Sequence, residues 1–402
     1  MTISRNENQA PVADRPRMAL VRRAVPQRLW ANFEEAGRGI DLTVFETAIK
    51  PVEVESPETD AFQLLHHPAP SVADINRLLD EVQPQVVLCF GWGDLCSLAS
   101  LTWAKARGCR TIVCSDSNRN DYARASHKEF AKAQILSAFD LAWAAGAQSA
   151  AYLEELGFAG EGIHVGALDT VDLAHFESNA LAARSQGAAL RSQMGLPERF
   201  FLCVARLSPE KNFERLLQAY ARYHKMASPD RLWDLVVVGD GPLREALEAQ
   251  SRTLGISEHV HFRGAAGYDD LGPYYGMAQA FVLASLKDTW AVVVNEAAAA
   301  HLPLLISTRA GSSEELVRDG ENGFCFDPYD VGQLAARLAQ LASGECDLAN
   351  MGQRSREIVQ GHGSEAYGQA LTAMGKRAVT LPPRRFSPLA RLACRMQLMQ
   401  LK

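Results

Sequence analysis

The sequence predicts an α/β chain of two Rossmann-like domains facing each other across a cleft, and three observations carry that prediction. Its 402 residues and 43.9 kDa exceed what one hydrophobic core usually holds, so two domains of roughly 150–200 residues are expected. Short apolar runs of strand length alternate with amphipathic segments of helix length, the pattern of a mostly parallel sheet covered on both faces. The alternation occurs as two separate series, joined by an Ala-, Ser- and Gln-rich stretch around Asn179–Leu196. The expected division is a disordered leader at 1–16, an N-terminal domain at 17–190, a C-terminal domain at 191–363, and helices at 364–402 that pack back on the N-terminal domain.

The first series runs MALVR (18–22), DLTVF (41–45), QVVLCF (85–90), RTIVCS (110–115) and DLAWAA (140–145), with VADINRLLDEV and AQSAAYLEELG among the intervening helices. The second runs FFLCVAR (200–206), WDLVVVGD (233–240), HVHFRG (259–264), AFVLAS (280–285), PLLIST (303–308) and GFCFD (323–327). Ligands of such sheets bind outside the carboxyl ends of the strands, so the loops that follow strands are where chemistry is expected. The tail from Lys376 to Lys402 carries seven Lys or Arg and no acid. Beyond Pro382-Pro383, the 384–402 segment reads as a helix with Leu389, Leu392, Met396 and Met399 on one face and Arg391 and Arg395 on another. Two readings stand for it: a helix lying on an anionic membrane, or one packed on the protein with its arginines solvated.

Composition narrows the function classes. With 47% hydrophobic and 22% charged residues the chain is an ordinary globular one. A net charge of −6 argues against nucleic acid as a partner and asks for a local basic site if the ligand is an anion. The eight cysteines include no CxxC pair and several sit in strand-like runs, so buried free thiols in a reducing compartment are expected. Nothing in the first residues resembles a signal peptide and no run of 18 apolar residues occurs. The expected location is cytoplasmic.

Three segments of the second series converge on one kind of ligand. In VARLSPEKN, Arg206 ends a strand and Lys211 precedes a helix, and two cations beside a helix N-terminus suit a diphosphate; solvated loop charges are the plain alternative. In VVVGDGP, Gly239 and Gly241 let a ligand approach the backbone, or simply make a tight turn. In SLKDTWAVVVNEAAAAHLP, an apolar run is bracketed by Asp288 and Glu296. A helix beginning near Trp290 or Ala291 would direct its unpaired N–H groups at an anion and bury its valines, with Glu296 about one and a half turns in. A capping aspartate and a solvated glutamate are the alternative there.

SLKDTWAVVVNEAAAAHLPLLIS resembles the signature of the retaining family-four glycosyltransferases of GT-B fold, in which two acids flank seven residues. VARLSPEKN, VVVGDGP, HVHFRG and GSSEELVRDGENGF resemble the family's other segments in the same order, over roughly residues 200–345. The resemblance implies that Arg206 and Lys211 neutralise the nucleotide diphosphate, that Glu296 binds the ribose and that Asp288 contacts the donor sugar. It further implies that the backbone of Trp290, Ala291 and Val292 binds the donor, that Arg263 and Gly264 lie where the base is held, and that no metal or other cofactor is needed. This sequence departs from the family at Asp288 for a usual glutamate, at Ala291 and His301 for usual glycines, and at Ser312 for the second residue of a Gly-Gly pair.

The chemistry suits these residue types, because breaking a glycosyl–phosphate bond leaves negative charge on a diphosphate that cations must stabilise. For the acceptor, CFGWGD and CSDSNRND follow strands of the first series and contribute Trp92, Asp94, Asp116 and Asn118; turn and capping duty explains the polar ones equally well. The expectation is a metal-independent retaining transferase that moves a sugar from a UDP or GDP sugar to a hydroxyl of a glycan or glycolipid, peripheral on the membrane through the basic tail. An epimerase or hydrolase on the same fold, and a non-catalytic sugar-nucleotide-binding protein, stay open.

Overall fold

The structure, a computed structural model, describes residues 15–48, 59–68, 70–119, 121 and 125–401. The leader expected at 1–16 lies outside them except for its last two residues. The chain divides into two compact units, one taking the sequence up to Asp172 and again from His362, the other running Leu173–Gly361.

The first unit is built on a seven-stranded parallel sheet of β1 (Arg17–Arg22), β2 (Asp41–Glu46), β3 (Phe62–His66), β4 (Val86–Phe90), β5 (Arg110–Ser115), β6 (Leu141–Ala144) and β7 (Ile163–Val165), in the order β3-β2-β1-β4-β5-β6-β7. β3 and β7 are absent from the sequence reading. Each is short and half exposed, as edge strands are, so neither shows a buried apolar run. The second unit carries a six-stranded parallel sheet of β8 (Phe200–Val204), β9 (Asp234–Val238), β10 (Val260–Phe262), β11 (Ala280–Leu283), β12 (Leu304–Ser307) and β13 (Gly323–Phe326), ordered β10-β9-β8-β11-β12-β13. Both orders reverse beside the first strand of their sheet, which puts the switch point, and hence the ligand crevice, at the carboxyl ends of β1 and β4 and of β8 and β11. Each sheet has its own core, with Phe45, Val87, Leu98 and Phe139 in the first and Phe201, Leu217, Tyr220, Val237 and Leu338 in the second.

The domain boundary expected at 190/191 falls instead at 172/173. The stretch taken as a joining segment is a helix, Leu173–Met194, bent at Gly187, and it packs on the second unit's helices Gly272–Met277 and Val292–Ala299. Its Ala-rich composition allows that close packing. The returning chain belongs to the first unit: the helix Ser364–Thr380 packs on Trp30–Gly37, and the helix Pro388–Gln400 packs on Leu95–Arg107 and Ser126–Leu136. A buried ion pair anchors the connection. Lys105 Nζ lies 2.8 Å from Asp140 Oδ2, both side chains almost wholly buried, while Asp140 also accepts from Thr111 N (2.7 Å), Thr111 Oγ1 (2.9 Å) and Arg384 N (2.6 Å). All eight cysteines are free, four of them buried.

Candidate functional site

In the second unit the loop after β8 is held to the loop after β11. Asn212, in left-handed conformation, sends Nδ2 to the carbonyls of Ala284 (3.0 Å) and Pro328 (2.9 Å), and Leu286 N donates to Glu210 O (2.8 Å). These bonds bring Lys211 against Asp288, and the two side chains form an ion pair. Asp288 Oδ2 also lies 3.5 Å from Ser285 Oγ. Arg206, on the same loop as Lys211, is exposed.

The helix after Asp288 runs Val292–Ala299, one residue later than the sequence suggests, and its N-cap is Ala291 at φ 73°, with no side chain capping that end. Asp288 is therefore not a helix cap, and the first N–H groups of the helix are left without a side-chain acceptor. Of the three valines only Val294 is fully buried. The expected burial of all three is thus corrected: Trp290 is the main buried anchor instead, its Nε1 donating to Asn295 Oδ1 at 3.0 Å. Glu296 sits a little over one turn into the helix. It is buried, and Tyr275 Oη donates to its Oε2 at 2.7 Å. Burial, with the Glu296 charge, pushes the Tyr275 phenol well above its ordinary range, so it stays a donor. The reading of Glu296 as solvated does not hold.

Gly239 and Gly241 are explained by their neighbours. A Cβ on Gly239 would stand 1.9 Å from Ala205 O, and one on Gly241 2.4 Å from Leu207 O, so the glycines let the β9 loop close onto the β8 loop that carries Arg206. Gly239 N donates to Gly264 O at 2.7 Å, bringing the loop after β10 into the same cluster. The Arg263 side chain turns back to Met194 O. Two of the departures from the family pattern have a backbone meaning, since Ala291 (φ 73°) and His301 (φ 57°) both adopt the left-handed conformation that favours glycine. His301 uses its side chain as well, with Nε2 2.8 Å from Glu177 Oε1, while Arg356 holds Glu177 Oε2 at 3.0 Å. Ser312 has an ordinary φ of −82°; its neighbour Gly311 is the constrained one, packed on Thr289 O where a Cβ would come within 1.9 Å.

In the first unit the residues expected at the acceptor divide. Asp94 is the N-cap of Leu95–Arg107, accepting from Ser97 N at 3.0 Å, and buried Asn118 closes a turn in which its N donates to Asp121 Oδ2 at 2.7 Å. Those two serve the local fold, which is the alternative the sequence left open. Trp92 and Asp116 line cavities. Asp116 and Ser115 border a polar cavity of about 250 Å³ with Arg22, Arg28 and Asp169, and a second of about 240 Å³ with Trp92, Gly93 and Lys132. Arg22 and Arg28 are absent from the sequence reading, although Arg22 ends the first strand of its sheet much as Arg206 follows the first strand of the other. Burial pulls the Arg22 guanidinium below its ordinary pKa, and it lies over the Phe90 ring at 4.3 Å.

For the tail helix Pro388–Gln400 the packed reading holds. It packs through Ala390 and Cys394, yet Leu389, Leu392, Met396 and Met399 are each more than half exposed. Among the described residues no helix is long and apolar enough to cross a membrane.

The family described as "Glycosyl transferases group 1" matches residues 190–358. A GDP-mannose-dependent alpha-(1-6)-phosphatidylinositol monomannoside mannosyltransferase of Mycobacterium tuberculosis is 28% identical over 180 residues, covering 43% of this chain and 46% of that one. A lipopolysaccharide core biosynthesis glycosyltransferase of Rhizobium meliloti is 29% identical over 177 residues, covering 43% and 49%. The matched region thus spans about half the length of these curated relatives. Among solved structures, the Anabaena protein Alr3699/HepE in complex with UDP superposes with a TM-score of 0.70 at 16% identity, covering 91% of this chain and 100% of that one.

Proposed function

From a chain that has the GT-B fold and whose C-terminal unit belongs to the group 1 glycosyl transferases, we propose a retaining glycosyltransferase that moves a sugar from a UDP or GDP sugar to a hydroxyl of a glycan or lipid-linked acceptor. The observation that carries the proposal is the uncapped N-terminus of Val292–Ala299, four residues after an aspartate that is ion-paired to Lys211. In this reading Arg206, Lys211 and the first N–H groups of that helix take the charge of the departing diphosphate. The acceptor oxygen bonds to the anomeric carbon on the face from which the phosphate leaves. The carbon–oxygen bond to phosphate breaks, and the departing phosphate takes the acceptor's proton. The proposed reaction uses the chain's own cations and assigns no role to a metal or other cofactor.

Glu296, fixed by Tyr275, is given the ribose hydroxyls, and Asp288, released from Lys211 when diphosphate arrives, the donor sugar. Gly239 and Gly241 shape the pocket, while the backbone at Arg263 and Gly264 holds the base. The relatives' names support the substrate classes: one uses GDP-mannose with a phosphatidylinositol mannoside, one builds lipopolysaccharide core, and one solved neighbour binds UDP. Cell-surface polysaccharide or lipopolysaccharide synthesis, with the enzyme peripheral on the inner face of the plasma membrane, is the setting this reading favours. The exposed apolar face of the tail helix, beside Arg391 and Arg395, supports it. The test is incubation of the protein and cell membranes with radiolabelled UDP- and GDP-sugars. Label that moves into an acceptor supports transfer, and donor consumed without transfer would instead mean a hydrolase or epimerase.

A further inference from the structure

The first unit holds a cavity system that changes character along its length. At one end, Arg22, Arg28, Ser115, Asp116 and Asp169 line the cavity of about 250 Å³, a mix of donor and acceptor groups of the kind that recognise a polyol. Ser115 Oγ is buried there, and neither it nor buried Arg28 Nη1 has a hydrogen-bond partner among the described residues. A buried hydroxyl without a partner is costly and points to a ligand that supplies one. The adjoining cavity shares Gly91, Cys114, Ser115 and Asp116 with the first, and Trp92, Gly93 and Lys132 with a third. That third is a groove of about 570 Å³ between the helices Ser126–Leu136 and Pro388–Gln400. Phe130, Leu389, Leu392 and Met396 line it, each more than half exposed, and its charged lining residues are Lys128 and Lys132, the latter ion-paired to Glu129 at 2.8 Å, with His127 beside them.

A polyol pocket, a cationic collar and an apolar groove in sequence match one chemical class. We infer that the first unit binds an anionic amphiphile with its single hydrocarbon chain in the groove, its phosphate at the Lys128 and Lys132 collar, and its hydroxylated headgroup beside Ser115 and Asp116. As an account of the acceptor it rests on the transferase reading above, in which a hydroxyl is presented at the carboxyl ends of β4 and β5. The continuity of the cavities distinguishes this seat from a helix that merely rests on a bilayer, since the groove ends in a polar pocket that a bilayer surface would not enter.

The test is calorimetric titration with 1-oleoyl lysophosphatidylglycerol held below its micellar concentration, with glycerophosphoglycerol as the chainless control and phosphatidylglycerol vesicles as the bilayer control. UDP and GDP are titrated in parallel. Saturable lipid binding is expected at least about tenfold tighter than glycerophosphoglycerol, because a buried chain contributes with every methylene. The double variant Phe130→Ser/Met396→Gln changes exposed side chains only, and is expected to lose at least about tenfold of that affinity while its nucleotide binding stays unchanged. Equal lipid binding by the variant, or binding to vesicles without binding to the monomeric lipid, would overturn the seat. Lipid binding as expected without binding of either nucleotide would leave the seat standing and sink the transferase reading.

Discussion

Lys211 and Asp288 neutralise each other through an ion pair in the structure, and the account asks both to change partner when a diphosphate arrives. Arg206→Ala and Lys211→Ala are each expected to cut transfer by at least about a hundredfold, the scale seen when a group stabilising transition-state charge is lost. Initial rates at saturating acceptor would show it, and unchanged kinetics in both variants would remove the site. Tyr275→Phe leaves buried Glu296 without its 2.7 Å donor, so nucleotide affinity is expected to fall several-fold while the fold is kept; isothermal titration with the free nucleotide checks this. Position 291 tests backbone strain. An L side chain at φ 73° costs about 1–2 kcal/mol, partly offset at Ala291 by its buried methyl group. Glycine there is expected to be at least as stable as alanine, and Ala291→Val at least about 1 kcal/mol less stable in urea unfolding, because a β-branched residue tolerates that conformation worst. Equal stability of all three would mean that the loop relaxes freely.

At the scale of elements, the buried Lys105–Asp140 pair ties the tail to the first sheet through Arg384 N. Lys105→Met leaves the buried Asp140 carboxylate with its hydrogen bonds from Thr111 and Arg384 N but no counter-charge, and a loss of about 3 kcal/mol is expected. Asp140→Ala should in addition expose the chain near Pro382 and Pro383 to limited proteolysis; an uncut tail would show that Ala390 and Cys394 suffice to hold the helix. This anchor was not legible in the sequence, because Lys105, Asp140 and Arg384 are far apart in the chain and only the fold brings them together. Eleven strands were legible, because each lies in a short run rich in apolar residues between helical segments, the edge strands β10 and β13 included. β3 and β7 were not, because their exposed positions break the apolar run. In the loops after β8 and β11, Arg206, Lys211, Asp288 and Glu296 could be singled out as candidates in the sequence, with their roles implied by the family resemblance, whereas Tyr275 could not: it lies in GPYYGM, and only the packing of two helices brings it to Glu296. Arg22, Arg28 and Ser115 were hidden for the same reason, as their cavity forms only when β1, β4 and β5 lie side by side.

At the scale of the whole molecule, the second unit is continuous in sequence while the first is completed by the returning chain from His362. A fragment spanning residues 173–361 is therefore expected to fold alone and still bind nucleotide. A chain ending at Gly361 should lose solubility, because it lacks Tyr367, Leu371 and Cys394 of the first unit's interior. Circular dichroism of the fragment and sedimentation of the truncated chain would check the two halves of that expectation. The central claim is that the second unit holds a nucleotide diphosphate through Arg206, Lys211 and an uncapped helix end. Titration of UDP and GDP into the intact protein and into Lys211→Ala tests it most directly. The account predicts saturable binding of at least one nucleotide, weakened at least about tenfold by the substitution; no binding of either, or the same affinity in both proteins, would contradict it.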